Sequence, residues 1–117
     1  MDYKVIKDCL IVKPNGEIDS HYADILKKEI ENAALRLDIR NIIFDFSNVD
    51  FMDSSGIGLV VGRYKYTSAM DGITAAACIS DRLMKLMTLS GLLKIIPACK
   101  TVEEAITKTK RGGNNEL

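Results

Sequence analysis

Short apolar runs alternate with longer segments of helical spacing, and this alternation limits the fold more than any other property of the chain. Residues 3–7 and 9–12 read as two strands joined at Asp8. So short a connection predicts an antiparallel pair. Pro14-Asn15-Gly16 then brings turn chemistry, and a proline there predicts an edge position or a bulge. Ile25, Leu26, Ile30, Ala33, Ala34 and Leu37 recur at helical spacing, with Asp19 or Ser20 as N-cap. Residues 41–46 are mostly apolar, as in a parallel strand buried on both faces. A helix is predicted over 54–68, with Ile57, Val60, Val61 and Tyr64 as its inner stripe. An alanine-rich strand over 73–79 follows, rich in small residues because something bulky packs on it. Next comes a helix capped by Ser80 or Asp81, with Leu83, Leu86 and Met87 facing inward and Ser90-Gly91 at its end. A short strand is predicted over 93–96. Thr101 and Glu104 form a capping box for the last helix, where Val102, Ala105 and Ile106 face inward. The order β-β-α-β-α-β-α-β-α predicts a single α/β domain: an open, mixed but mostly parallel sheet of four to five strands with four helices.

The 117 residues suit one domain, expected over 1–111, and the polar, glycine-rich 112–117 is expected to be a disordered tail. Sixteen basic residues balance sixteen acidic ones, which argues against nucleic acid as a partner. Lys108, Lys110 and Arg111 read as a solvated helix end. No apolar run approaches the roughly 20 residues of a membrane span, and the first residues lack the pattern of a signal peptide. Cys9, Cys78 and Cys99 are widely spaced, and His21 is the lone histidine. A disulfide framework or zinc site is therefore not expected, no metal or cofactor is predicted, and a reducing cytoplasm is the expected compartment. The cysteines read as small buried apolar residues.

The chemistry concentrates in Phe51-Met52-Asp53-Ser54-Ser55-Gly56-Ile57-Gly58, at a strand-to-helix junction. Hydroxyls at a helix start can cap it, attack a substrate or accept a phosphate. The nucleophile elbow needs G-x-S-x-G, and Met52 stands where its first glycine should be. The base would have to be His21, which reads as an exposed residue in a first helical turn. No catalytic residue is therefore assigned. Gly56, Gly58 and Gly62 are spaced one residue wider than the dinucleotide fingerprint, and no Walker lysine follows. They fall within the helix, where glycine costs up to about 1 kcal/mol against alanine. Close packing or close approach of a partner explains them better than a nucleotide does. Glu17, Asp19, Asp50 and Asp53 read as caps and solvated loop residues in preference to metal ligands. Capping and phosphate acceptance both remain open for the serines. A phosphoserine would be tolerated at a helix N-terminus yet repel a docked protein beside Asp53 and Asp50.

The same block, with Gly62-Arg63-Tyr64-Lys65, Gly16-Glu17-Ile18-Asp19 and Ser90-Gly91-Leu92 with Lys94-Ile95-Ile96, resembles the anti-sigma-factor antagonists of the STAS domain family, and within them the sporulation branch. The matching segments run from about Cys9 to Ile106. The resemblance implies a non-enzymatic anti-anti-sigma factor. Such a protein binds an anti-sigma factor that is also a serine kinase, is phosphorylated on the first serine, here Ser54, and is reset by a PP2C-type phosphatase. It also implies a partner surface of Glu17, Asp19, Asp53, Ser54, Ser55, Gly56 and Gly58. The family's other uses are general-stress sigma control and accessory STAS subunits of transport or signalling complexes. Pro14 and Asn15 depart from the family's pattern ahead of the glycine turn.

Overall fold

The computed structural model describes residues 2–112. β1 (Asp2–Ile6) and β2 (Cys9–Lys13) form the expected antiparallel hairpin, with Ile6 opposite Cys9. Only Lys7 and Asp8 remain for the turn, and Lys7 takes a φ of 58° to close it. The chain continues through β3 (Gly16–Ile18), α1 (Ser20–Leu37), β4 (Asn41–Asp45) and β5 (Val49–Met52). After these come α2 (Ser54–Ala69), β6 (Thr74–Ala77), α3 (Asp81–Leu89), a 3-10 turn at Leu92–Lys94, β7 (Ala98–Cys99) and α4 (Val102–Gly112). The last residues of the expected tail, 113–117, lie outside the described residues.

The main sheet has the order β1-β2-β4-β6-β7, and every pairing after the hairpin is parallel. Its two faces follow from the period of two along a strand. Leu10, Val12, Ile42, Phe44 and Ala76 point into the larger core, shared with Leu26, Ile30, Val60, Leu83 and Met87 of α1, α2 and α3. Cys9, Ile11, Ile43, Ala75 and Ala77 face the other way, where Ala105 of α4 covers them. Phe44 and Phe46 stack at 5.5 Å within the larger core. The alanines of β6 match their position, since α2 and α4 press on the strand from opposite sides. Burial raises the pKa of each of the three thiols, so all are poor nucleophiles near neutrality.

Three expectations need correction. Residues 93–96 are not a strand. Gly91, at φ 82°, turns the chain, and the amides of Lys94, Ile95 and Ile96 bond back to the carbonyls of Gly91 and Leu92. Leu92 and Ile96 are apolar because they fill the core; the strand is Ala98–Cys99, beyond Pro97. Pro14 does not put β2 at an edge, and the bulge lies beyond it, where the pairing of β3 with β5 shifts register between Gly16 and Glu17. β2 is an inner strand in unbroken register with both neighbours, and Pro14 follows its last residue. Ile25 and Leu37 fit the helical period of α1 yet are 40% and 41% exposed, so the apolar stripe is narrower than its spacing predicts.

β3 and β5 are further strands, and they pair in parallel as a separate two-stranded ribbon. The asparagine loop before β3 holds this ribbon in place. Asn48 donates its side-chain amide to Asn15 Oδ1 at 3.0 Å, and the Gly16 amide donates to the Asn48 carbonyl at 2.7 Å.

Candidate functional site

Because β3 and β5 run parallel, the helices that follow them start side by side. Glu17 pairs with Phe51 and Ile18 with Met52, and the Asp53 amide donates to the Ile18 carbonyl at 3.2 Å. The next residue in each segment is an aspartate that caps its helix. Asp19 accepts the Tyr22 amide at 2.9 Å, and Asp53 accepts the Ser55 amide at 2.8 Å. Losing such a cap costs about 1 kcal/mol. The site is thus two helix N-termini, each capped by a carboxylate, held together by a short parallel ribbon.

This arrangement removes one role left open for the serines. Asp53 is the cap of α2, so neither hydroxyl is used for capping. Ser54 is exposed and Ser55 half-buried, and among the described residues neither hydroxyl has a hydrogen-bond partner. His21 is exposed in the first turn of α1, and among the described residues no hydrogen bond joins it to Ser54. Nothing there activates Ser54 as a nucleophile in the manner of a hydrolase. Glu17 and Asp50 are exposed on β3 and β5, and Asp19 is exposed at the start of α1. Asp19 and Asp53 each commit a carboxylate oxygen to a cap, and no three acidic, histidine or cysteine side chains among the described residues form a metal site.

The two glycines expected on the surface have different surroundings. Gly56 is buried. A Cβ there would lie 2.7 Å from Met52 Cβ and 3.3 Å from Ile18 Cγ2, so Gly56 lets α2 settle onto the ribbon. It therefore shapes the site from below and is not exposed to a partner. Gly58 is exposed, with open space where its Cβ would stand. Gly58→Ala should accordingly stabilise the domain by about 0.5–1 kcal/mol, and Gly56→Ala should destabilise it. Thermal melts of the two variants should move in opposite directions; movement in the same direction would contradict the placement.

Two parts of the site are not visible in the sequence motif. A groove of about 330 Å³ runs between α1 and α2, with Ser20, Ala23 and Lys27 on one wall and Ser55, Gly58 and Gly62 on the other. The i, i+3 and i+7 spacing of these residues on both helices is the signal that points to it. The guanidinium of Arg82, at the start of α3, sits 5.4 Å from the Phe51 ring centroid, a cation–π contact beside the acidic patch. No local pattern announces that contact.

Comparison with known proteins agrees with the architecture. Residues 1–105 match the STAS domain. The chain is 34% identical over 99 residues to the anti-sigma F factor antagonist of Paenibacillus polymyxa, with 85% of each chain covered. The crystal structure of the Thermotoga maritima protein TM1081 superposes with a TM-score of 0.87 at 26% identity, covering 94% of both chains. The Bacillus anti-sigma factor antagonist SpoIIAA superposes in two forms. The unphosphorylated form gives a TM-score of 0.70 at 28% identity, covering 93% of this chain and 98% of that one. The phosphorylated form gives 0.69 at 31%, covering 92% and 98%. With the domain matched over most of its length and a relative above 30% identity, the chain belongs to the STAS domain family, among the anti-sigma factor antagonists.

Proposed function

We propose that the unphosphorylated domain binds an anti-sigma factor that is also a serine kinase, so freeing a sigma factor, and that phosphorylation of Ser54 ends the complex. The observation that carries this reading is the state of Ser54. Its hydroxyl is exposed at a helix start and, among the described residues, has no hydrogen-bond partner, because Asp53 does the capping. A phosphate on it would meet the positive end of α2 and need not break any bond of the fold. The relative SpoIIAA, which has been solved in a phosphorylated form, supports the same reading. A PP2C-type phosphatase would return the protein to its binding state. The relatives of the sporulation type favour sporulation as the setting, in the cytoplasm, where sigma factors act.

The contact surface combines Asp53, Ser54, Ser55 and Gly58 at α2 with Glu17 on β3 and Asp19 at α1. Three carboxylates make it acidic, so the kinase face opposite should be basic and the association rate should fall as salt rises. Asp19 is a poor residue for testing this, since its replacement also removes a cap. Glu17 is exposed and has no such duty. Glu17→Lys should therefore weaken binding by about tenfold or more, while Glu103→Lys, on α4 across the sheet, should leave it unchanged. Equal affinities in surface plasmon resonance would place the docking surface elsewhere. A pull-down from the native cell with wild-type and Ser54→Asp baits tests the function as a whole. A kinase retained by the first and lost by the second is expected. Retention by both would reject the switch.

A further inference from the structure

We propose that the partner's footprint runs past the acidic patch onto the first half of α3, where Arg82 and Lys85 receive an acidic segment of the same anti-sigma factor. This rests on the function proposed above and gives the docking surface a second half of opposite charge. Phe51 marks the border. It is half-buried on β5, and its register partner Glu17 is exposed on β3. Paired residues of neighbouring strands point to the same side of a sheet, so the glutamate stands beside the ring. Over the ring lies the guanidinium of Arg82, 5.4 Å from its centroid. An acid, an aromatic ring and a base thus meet where the two-stranded ribbon touches the start of α3.

Lys85 extends the basic side. It follows Arg82 by three residues and so shares its face of α3, and both are exposed. Leu83 and Met87, on the other face, are fully buried and fix the helix to the core. Neither cation has an ion pair among the described residues, although Glu17 borders the same ring. The fold itself gains little from Arg82. A cation in the first turn of a helix meets the positive end of the dipole, and that effect is similar in size to an exposed cation–π contact, so the two nearly cancel. An arginine stacked on an aromatic ring, continuous with a docking surface, combines residue types that are enriched where binding energy concentrates. Charge decides what meets it. A basic partner face continued over α3 would set like charges opposite each other, so the segment that covers Arg82 and Lys85 is acidic. The ring already holds the guanidinium, so less freedom is lost when its N–H groups take a carboxylate.

Surface plasmon resonance on the anti-sigma factor recovered by the pull-down reads the sign of this contact. Arg82→Ala should weaken binding at least about tenfold and Lys85→Ala about threefold, with melting temperatures within about 5 °C of wild type. If α3 faced no partner, Arg82→Ala would leave the affinity unchanged. If it faced the basic region, removing a like charge would tighten binding. Either result overturns the proposal. Lys85→Ala removes a charge without uncovering Phe51, and it decides the matter even if the Arg82 variant folds poorly. Wild-type and Ser54→Asp protein on the same surface keep the two readings apart. Binding lost with Ser54→Asp but unchanged with Arg82→Ala and Lys85→Ala rejects this inference alone; no binding by wild type rejects both.

Discussion

Ser54→Asp should melt within about 5 °C of wild type and lose at least about a hundredfold in affinity for the anti-sigma factor. The two halves of this result come from different features. Stability should survive because the side chain of residue 54 is exposed and makes no hydrogen bond among the described residues, while Asp53 retains the cap. An added anion at a helix N-terminus is itself favourable by about 0.3–1 kcal/mol at an exposed site. Asp53, Asp50 and Glu17 nearby offset part of that gain. Affinity should fall because new charge on a surface already carrying Glu17, Asp19 and Asp53 must be desolvated against a fitted partner. A charge buried at an interface without its own fitted counter-charge costs several kcal/mol, even where the opposing face is basic overall. Calorimetry and surface plasmon resonance on one preparation measure both halves. A melting temperature lowered by about 15 °C or more would point instead to refolding as the mechanism.

Gly72→Ala should cost about 3 kcal/mol or more, enough to lower the melting temperature of a domain this size by about 15 °C. A Cβ at this position would lie 1.9 Å from the Arg40 carbonyl oxygen and 2.7 Å from its carbon. Those atoms are backbone and cannot rotate aside. They are also held firmly. Gly72 itself donates to the Thr67 carbonyl at 2.7 Å, Asn41 Oδ1 accepts the Ile73 amide at 2.8 Å, and the Asn41 amide reaches the Asp8 carbonyl at 3.3 Å. One methyl group would push apart the entries to β4 and β6 and the hairpin turn beside them. Urea unfolding measures the cost directly; a change below about 0.5 kcal/mol would mean that this junction yields easily.

The contrast among glycines shows how far the sequence could be read. Gly56, Gly58 and Gly72 look alike in one dimension, and only their neighbours distinguish them. Helices were legible because their signals are local. Asp19, Ser80 and Thr101 each cap the helix they precede, and the Glu104 side chain reaches back to the Lys100 amide. At Asp53-Ser54-Ser55 all three residues are good caps, and spacing alone does not say which one starts the helix. The distinction matters, because assigning the cap to Asp53 is what leaves Ser54 unengaged. β3 and β5 were missed because strands of three and four residues carry no usable alternation. Their order comes from pairing with each other across more than thirty residues. Arg63 reads as one polar residue in a helical pattern, and its burial depends on Glu31, thirty-two residues earlier. The 93–96 run was misread because apolar content reports burial and not conformation. The pairing of the Glu17–Asp19 and Asp53–Ser55 segments follows from the same non-local ribbon.

The most direct test of the account is phosphopeptide mapping after reaction with the cognate kinase and ATP. Wild-type protein and Ser55→Ala should carry the phosphate on residue 54, and Ser54→Ala should take up none. Equal labelling of Ser54→Ala would contradict the claim that the exposed hydroxyl at the start of α2 is the switch.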